Sequence, residues 1–481
     1  METENKTNNM PSGKKLNSDK MRSTPIGKLL ITMSLPAIVS MLVQALYNVM
    51  DTVFVGMYYS GLGDSEYNSA VQALSVAFPM QLIIVSIGIG LGVGANACIS
   101  KKLGMGDREG ATQTARHAIL LAVVSSVILA VVGLTTSGAF ITALADVSGD
   151  SGKVIEYGTT YLTIVASLSF ACTIEITCSR MLQSTGNMRV PMISQAMGAC
   201  VNIALDPILI FAGGMGVAGA AVATVISQFC SMTFILVMFV AKKQDVSILP
   251  KGFRFNGKAM LEIINVGLPA LITNAIGAVT YICIMLIMKA YGMGNTPQQV
   301  LGLYFKLNSL IFMPTFGLMQ GALPILGYNY GAGNKKRYLE CVKYMILISL
   351  GFMLIGVILF EAAPGAMLGL FSANTDTLVE GAVALRIIAI CFPIAALGIT
   401  TINAYQSLQC GVRSLIMSMT RQLGIIVPFA AIFGRFGAYM IWIAYPVAEA
   451  IPILVFFPLL FRTINKKFAE RRQFAALTES E

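Results

Sequence analysis

Two long apolar stretches constrain this chain more than any other feature of its sequence. Residues 118–145 carry no charged side chain, and residues 192–240 carry only one, Asp206. About 18 such residues are enough for a helix to cross the ~30 Å hydrocarbon layer of a membrane. Charged residues make up only 12% of the chain, about half the share that a soluble domain uses to cover its surface. The chain is therefore predicted to be an integral membrane protein.

Apolar segments of this kind recur along the chain, and their number predicts an all-α protein with twelve transmembrane helices. The spans are placed at residues 29–58, 69–100, 114–144, 157–182, 190–213, 216–241, 259–291, 298–328, 338–361, 379–409, 414–434 and 436–461. The nine cysteines have no CxxC spacing, so neither a disulfide framework nor a zinc site is expected.

The basic residues mark one side of this topology. A net charge of +10 is compatible with a nucleic-acid partner, but Lys and Arg concentrate in the amino-terminal tail and in the segments that share its side of the membrane. Lys101, Lys102 and Lys335 are examples, whereas the opposite loops carry acids such as Asp64 and Asp146. This is the positive-inside pattern. It predicts a multi-pass protein of the cell (cytoplasmic) membrane with both termini in the cytosol, surrounded by lipid and without a nucleic-acid partner.

The chain repeats itself once, which predicts two lobes of six helices. Matching segments are Leu35-Pro36-Ala37 with Leu268-Pro269-Ala270, Gly94-Ala95 with Gly321-Ala322, and Gly216-x-x-Gly219 with Gly434-x-x-Gly437. Both repeats begin on the same side, so they are parallel, and parallel repeats place a substrate site near the midplane at their interface. The expected organisation is a basic tail (1–27), an amino-terminal lobe (28–241), a cytosolic linker (242–258), a carboxy-terminal lobe (259–463) and a second tail (464–481), with a central cavity between the pseudo-symmetric lobes.

Several kinds of function are disfavoured by what the sequence lacks. His117 is the only histidine, which rules out a His-rich metal centre, and we expect it to be a solvated residue at a helix start. There is no GxSxG motif and no P-loop, so neither a hydrolase nor an ATP-driven motor is indicated. We expect no enzymatic activity and no cofactor beyond a coupling ion, and transport would then draw on an ion gradient.

Polar side chains inside the predicted spans are the candidates for function, because a carboxylate in hydrocarbon costs a few kcal/mol. Asn202 and Asp206 are four residues apart and share a helix face, Pro207 removes a backbone donor beside them, and Thr224 follows on the next span. Asp51 lies at a similar depth on the first span. These oxygen-bearing side chains suit a proton or a hard cation such as sodium.

A second set of polar residues extends along the first span. Gln44, Tyr47 and Asn48 stand at i, i+3 and i+4, which is compatible with a cavity wall or with a polar seam between helices. Lys306 is a candidate cation in the cavity of the second lobe. The remaining charges placed well inside spans are Glu175, Arg386 and Glu449, and the sequence does not pair them.

With these residues in place, the chain resembles the multidrug and toxic compound extrusion (MATE) family. The matching segments, over about residues 25–460, are Pro36 with Tyr47-Asn48-x-x-Asp51, Gln183-Ser-Thr-Gly186-Asn187, Asn202-x-x-x-Asp206-Pro207, Gly216-x-x-Gly219 with Thr224, and Pro314-x-x-Gly317-x-x-x-Gly321. The resemblance implies twelve helices that exchange drugs for protons or sodium. In the branch that it favours, the coupling acids lie in the amino-terminal lobe, on Asp51 and Asp206 with Asn202 and Thr224 beside them.

The combined hypothesis is a monomeric antiporter that alternates between inward- and outward-facing states and exports amphipathic, cationic small molecules. Ion binding at Asp51 and Asp206 would bend the first span near Pro36 and displace the exported molecule. A flippase for lipid-linked precursors is the main alternative, because Lys306 and Arg386 offer positive charge to a pyrophosphate. An integral-membrane enzyme and a channel have less support in the sequence.

Overall fold

The structure is a computed structural model, and it describes residues 21, 23–60, 64–148, 152–241, 244–249, 252–293, 295–369 and 375–479. For some residues inside these ranges only the backbone is described, among them Tyr47, Asn48, Asp51 and Lys306.

The described chain is almost entirely helical, and its long helices confirm the predicted fold class. We call the membrane-crossing elements spans 1 to 12. In chain order they are Ile26–Ser60, Asp64–Gly104, Arg108–Ser148, Gly152–Ser167 with Phe170–Ser184, Arg189–Pro207 with Ile208–Ala212, Gly216–Ala241, Gly257–Ala290, Asn295–Gly331, Lys335–Ala362, Thr375–Ala389 with Phe392–Ser407, Gly411–Met419 with Thr420–Ile426 and Val427–Gly434, and Ala444–Glu479. Short helices Pro364–Gly369 and Ala438–Ile441 lie between spans.

Spans 4 and 10, predicted as single helices, are each broken into two. The halves of span 4 meet at an angle of 50°, and those of span 10 at 53°. In span 4 the Ser167 hydroxyl donates to the carbonyl of Thr163, a bond that competes with the helix ladder and bends it. In span 10 the second half begins at Phe392 with Pro393 in its first turn, where proline is tolerated because its missing N–H would have no partner.

The ends of the chain depart from the predicted tails. Met21 is fully buried, and the Arg337 guanidinium donates to the carbonyls of Met21 and Thr24. The segment just before span 1 therefore docks against span 9. At the other end, span 12 continues to Glu479, so most of the predicted tail 464–481 is helical.

Glycines that recur in the two repeats are the points at which the lobes touch. Gly94 of span 2 lies so close to the Ile263 carbonyl of span 7 that a side chain would not fit, and its repeat-mate Gly321 of span 8 lies equally close to Ser34 of span 1. The pairs 1–8 and 2–7 are thus equivalent contacts. This is the arrangement expected of parallel repeats related by an axis along the membrane normal.

A second repeated motif shapes one end of the bundle. Gly106 and Gly333 both have positive φ, +81° and +70°, a conformation that glycine adopts without steric cost. The next residues, Asp107 and Asn334, accept hydrogen bonds from backbone N–H groups of the following helices at 2.8 and 3.1 Å. The duplicated sequence therefore encodes the same helix–turn–helix reversal twice.

The lobes meet at one end of the membrane-crossing bundle, which we call the basic end because spans 2, 7 and 9 carry Lys101, Lys258 and Lys335 there. Within the described residues, each close glycine contact between the lobes lies in this half. The contacts reach Gly90 and Gly317, about 20 Å from the basic end at 1.5 Å per residue. The lobes are therefore joined over one half of their length.

His117 is buried, which contradicts the expectation of a solvated residue. Its side chain has no exposed surface, and its Nε2 accepts a hydrogen bond from the backbone N–H of Asn256 at 2.9 Å. Its Nδ1 is 2.7 Å from the Gln113 carbonyl, so the neutral tautomer that donates from Nδ1 satisfies both contacts. Asn256 in turn caps span 7. The histidine therefore ties the linker between the lobes to span 3.

Candidate functional site

The centre of the candidate site lies on the buried face of span 5. Asn202 and Asp206 are 1% and 0% exposed, and the Asn202 amide donates to Asp206 Oδ1 at 3.3 Å. Span 5 packs against spans 1 and 6, so this face points into the amino-terminal lobe. The four-residue spacing thus places both side chains together, as predicted, and away from lipid.

The backbone changes pitch immediately after these residues. Pro207 ends the α-helical part of span 5, and Ile208–Ala212 forms a π-helical turn, a distortion that is frequent at functional sites. The chain then reverses through Gly214 and Gly216, both with positive φ. A Cβ atom at Gly219 of span 6 would lie 2.9 Å from the Leu209 backbone, so the two helices approach too closely for a side chain there. The reversal holds spans 5 and 6 together above the polar pair.

Thr224 of span 6 is also buried, at 4% exposure. Since spans 5 and 6 pack on one another, Thr224 is buried in the same lobe as Asn202 and Asp206. The Ser227 hydroxyl donates to the Thr224 carbonyl at 2.7 Å. The predicted set therefore shares one lobe interior as far as the described side chains extend.

A layer of aromatic rings lies beyond this pair, toward the end opposite the basic end. Tyr58 contacts Tyr59 and Phe211 edge to face, with ring centroids 5.1 and 5.7 Å apart, and Tyr59 lies 5.4 Å from Tyr157. The Tyr59 hydroxyl accepts from the Val217 N–H. These contacts join spans 1, 4, 5 and 6 at that end of the amino-terminal lobe.

The chemistry of the described donors suits a proton or a hard cation. Asn202 Oδ1 is buried and has no hydrogen-bond partner among the described residues, and Asp206 adds a carboxylate beside it. Oxygen ligands of this kind are what small hard cations prefer. Both sodium and a proton fit this pair.

Several predicted residues lie outside the described side chains. Asp51, Tyr47 and Asn48 lie on the helical backbone of span 1, and Lys306 on that of span 8, so their predicted roles remain predictions. Pro36 lies within the uninterrupted helix of span 1.

Gln44 lines a cleft at the lobe interface, and its predicted role toward a substrate stays a prediction. The cleft is a small cavity of about 30 Å³, bounded by spans 1, 2, 4, 5 and 8. Its polar lining residues are Gln44, Ser179, Arg180, Gln183, Gln195 and Gln320.

Two arginines in this region were missed by the sequence reasoning. Arg180 lies inside predicted span 4 and Arg421 inside predicted span 11, and a charge within an apolar segment was the signal that could have identified both. Arg421 pairs with Glu449 at 3.0 Å in the carboxy-terminal lobe. It lies in the π-helical segment Thr420–Ile426.

The other intramembrane charges have simpler surroundings. Glu175 accepts hydrogen bonds from the hydroxyls of Ser179 and Ser194 at 2.8 and 3.4 Å. Arg386 is 3.9 Å from Glu361, with about half of each side chain exposed. Arg386 is therefore a surface residue rather than part of a cavity.

Comparison with known sequences identifies the family. The profile of the MatE family matches residues 36–208 and again residues 269–432, one match for each lobe. The multidrug export protein MepA of Staphylococcus aureus is 26% identical over 424 residues, covering 87% of this chain and 90% of MepA. MepA of Staphylococcus haemolyticus is 25% identical over 92% of this chain and 96% of its own length.

Solved structures agree with this assignment. A multidrug resistance MATE family transporter of the MOP superfamily, solved in an outward-facing conformation, is similar with a TM-score of 0.86 and 25% identity. The match covers 95% of this chain and 99% of that one. Two family matches on two six-helix lobes, with relatives similar over nearly their whole lengths, leave one assignment: this chain belongs to the MATE (MatE) family of multidrug efflux transporters.

Proposed function

We propose that this protein exports amphipathic small molecules across the cell membrane by alternating access, in exchange for protons or sodium. The observation that carries the proposal is the buried Asn202–Asp206 pair inside one lobe of a two-lobed transporter. A carboxylate kept in such a place is a functional site by default. Asp206 takes up the coupling ion, and Asn202 and Thr224 supply further oxygens, with Asp51 as the fourth member.

The arrangement of the lobes supports an alternating mechanism. In the proposed topology the basic end faces the cytosol, following the positive-inside rule. The described glycine contacts between the lobes cluster at that end, which supports an outward-facing state as one of the two states of the proposed cycle. The opposite state requires the contacts of Gly90, Gly94, Gly317 and Gly321 to separate.

In this proposal, ion uptake and cargo export are coupled because the ion and the cargo compete for the same carboxylate charge. An ionised Asp206 attracts either the coupling ion or a cationic cargo, and accommodating both would leave excess charge in a low-dielectric site. Ion binding from outside neutralises the site and releases the cargo. Release of the ion into the cytosol then restores the carboxylate. The bend of span 1 near Pro36 is the proposed movement that links the two events.

The test is dye efflux in proteoliposomes under separately imposed proton and sodium gradients. Ethidium transport driven by either gradient supports the proposal, and Asp206→Asn should reduce it to the level of protein-free vesicles because the amide keeps its shape but does not ionise. Glu361→Gln, which removes a charge from the exposed end of span 9, is the matched control and should transport normally. Wild-type activity in Asp206→Asn, or no response to either gradient, contradicts the mechanism.

A further inference from the structure

Arg180 is a buried cation that the export mechanism above does not use. Its side chain is 9% exposed and lines the cleft between the lobes. In the described part of the chain it has neither a hydrogen-bond partner nor an ion-pair partner within 4.0 Å. A guanidinium carries five donors in a rigid fork. None of its nitrogen atoms is among the described buried polar atoms that lack a partner, so the fork opens into the cleft, where a ligand can complete it.

The rest of the cleft offers hydrogen bonds rather than charge. Gln44, Gln183, Gln195 and Gln320 come from spans 1, 4, 5 and 8. The Oε1 atoms of Gln183 and Gln195 are buried without a hydrogen-bond partner among the described residues. Gln183 reaches Gln320 of the other lobe at 3.4 Å. A ligand that fills this space must therefore present hydrogen-bonding groups as well as an anion.

Glu175 limits how much negative charge the site accepts. It lies five residues before Arg180 on the same helix, but its Oε1 is held by the Ser179 and Ser194 hydroxyls. It thus offsets the field of Arg180 without occupying the guanidinium. With one cation and one nearby acid, a monoanion leaves less excess negative charge in the site than a phosphate dianion or a pyrophosphate would. A carboxylate also matches the planar fork through two parallel hydrogen bonds.

Gly92 of span 2 makes room for this side chain. A Cβ atom at Gly92 would lie 2.5 Å from Arg180 Cγ and 2.9 Å from Arg180 Cβ. The stem of the arginine therefore passes directly over a glycine. The guanidinium is held toward the cleft by the backbone of span 2 rather than by a salt bridge.

We propose that the Arg180 cleft is a subsite for the carboxylate of organic substrates, whose uncharged polar groups bond to the surrounding glutamines. The inference rests on the proposed export function and names one substrate class for it. The subsite lies at the junction of both lobes, since Gln320 belongs to span 8 and Arg180 to span 4. Separation of the lobes would remove Gln320 from the ligand and weaken binding in the opposite state.

The test measures binding to the purified full-length protein in nanodiscs, so that it does not depend on ion coupling. The probes are dansylglycine, its uncharged amide, and phenyl phosphate as a competitor. We expect dansylglycine to bind wild type at least tenfold more tightly than the amide, and Arg180→Gln to remove this difference. Arg386→Gln is the matched control, because it removes an exposed arginine outside the cleft, and should bind both probes as wild type does.

Each result decides the proposal. Equal affinity of wild type for the acid and the amide, or no binding of dansylglycine, overturns it without bearing on ethidium export. Competition by phenyl phosphate at lower concentration than dansylglycine would assign the site to phosphate esters instead of carboxylates and also overturn it. Gly92→Ala keeps the charge but displaces the stem, so it should weaken dansylglycine binding while leaving the amide unaffected. This second variant keeps the test valid if Arg180→Gln fails to fold.

Discussion

Replacing Gly267 by alanine should open the contact between the two lobes. Gly267 of span 7 and Gly90 of span 2 face one another so closely that a Cβ on either would lie 2.7 Å from the carbonyl oxygen of the other. Ordinary contacts of a Cβ begin at 3.4 Å, so the helices must move apart by about 0.7 Å. Both obstacles are backbone atoms, which do not move aside as a side-chain terminus would.

The added methyl group of Gly267→Ala should destabilise the state in which the lobes are in contact. Overpacking of this kind costs about 1–3 kcal/mol. The strain exists while the lobes are together and is relieved when they separate. The separated state should therefore become about 5–150 times more populated. The double variant Gly90→Ala with Gly267→Ala should destabilise the lobe contact by less than the sum of the two single variants. The first substitution already moves the helices apart by most of the distance that the second one needs.

Two native cysteine thiols can report the separation of the lobes. Cys98 of span 2 is fully buried, and its sulfur accepts a hydrogen bond from Gln409 of the other lobe at 3.3 Å. Cys341 is equally buried but lies inside the carboxy-terminal lobe. Maleimide labelling followed by mass spectrometry measures both thiols in one sample. Gly267→Ala should accelerate the labelling of Cys98 about 5–150 times and leave the labelling rate of Cys341 unchanged.

The control substitution is Gly351→Ala on span 9, where a Cβ atom meets nothing within 4 Å; it should leave both thiols at wild-type rates. An unchanged rate at Cys98 in Gly267→Ala would show that the lobes tolerate the added methyl group and would refute the reasoning. Faster labelling of both thiols would instead indicate general unfolding.

Four further variants, three of them single substitutions, test the packing of the lobes through the thermal unfolding of the detergent-solubilised protein. Glu449→Gln leaves Arg421 without its partner and should cost about 2–3 kcal/mol, below the value for a fully buried pair, whereas Arg421→Met with Glu449→Leu should recover most of it. Gly216→Ala should lower stability by about 1–3 kcal/mol, because φ is +52° there and the new methyl would press on the Tyr59 ring. Asn256→Ala should cost about 1 kcal/mol by removing the cap of span 7. Stability equal to wild type in any of these would contradict the corresponding contact.

The spans could be predicted from sequence because a membrane imposes a strong constraint on composition. The predicted span 29–58 agrees within three residues at each end with the helix Ile26–Ser60. The predicted span 338–361 agrees equally well with Lys335–Ala362. Breaks within spans were not predicted. In span 4 the break depends on hydroxyls that bond to the helix backbone, and serines of this kind occur in unbroken helices as well.

The candidate site was predicted only where it depends on local spacing. Asn202 and Asp206 share a face because they are four residues apart, and the structure joins them by a hydrogen bond. Arg180 is different, since its surroundings come from five spans spread over the whole chain. No local pattern shows that Gly92 would make room for its stem, because that contact joins spans 2 and 4 across the lobe.

Both lobes have a π-helical segment close to the same repeated proline, but the two segments differ in position and in the chemistry beside them. Span 5 has a π-helical segment directly after Pro207, and span 11 has one directly before Val427 and Pro428, which the repeat aligns with Asp206 and Pro207. The two π-helical segments therefore lie on opposite sides of the equivalent proline and do not coincide in the repeat. The acid is not repeated, because valine stands at the second position, and the nearby Arg421 is neutralised by Glu449. At this repeat position a carboxylate is thus present in the amino-terminal lobe and absent from the carboxy-terminal lobe, and in the proposed mechanism a movement driven by its charge begins on the amino-terminal side.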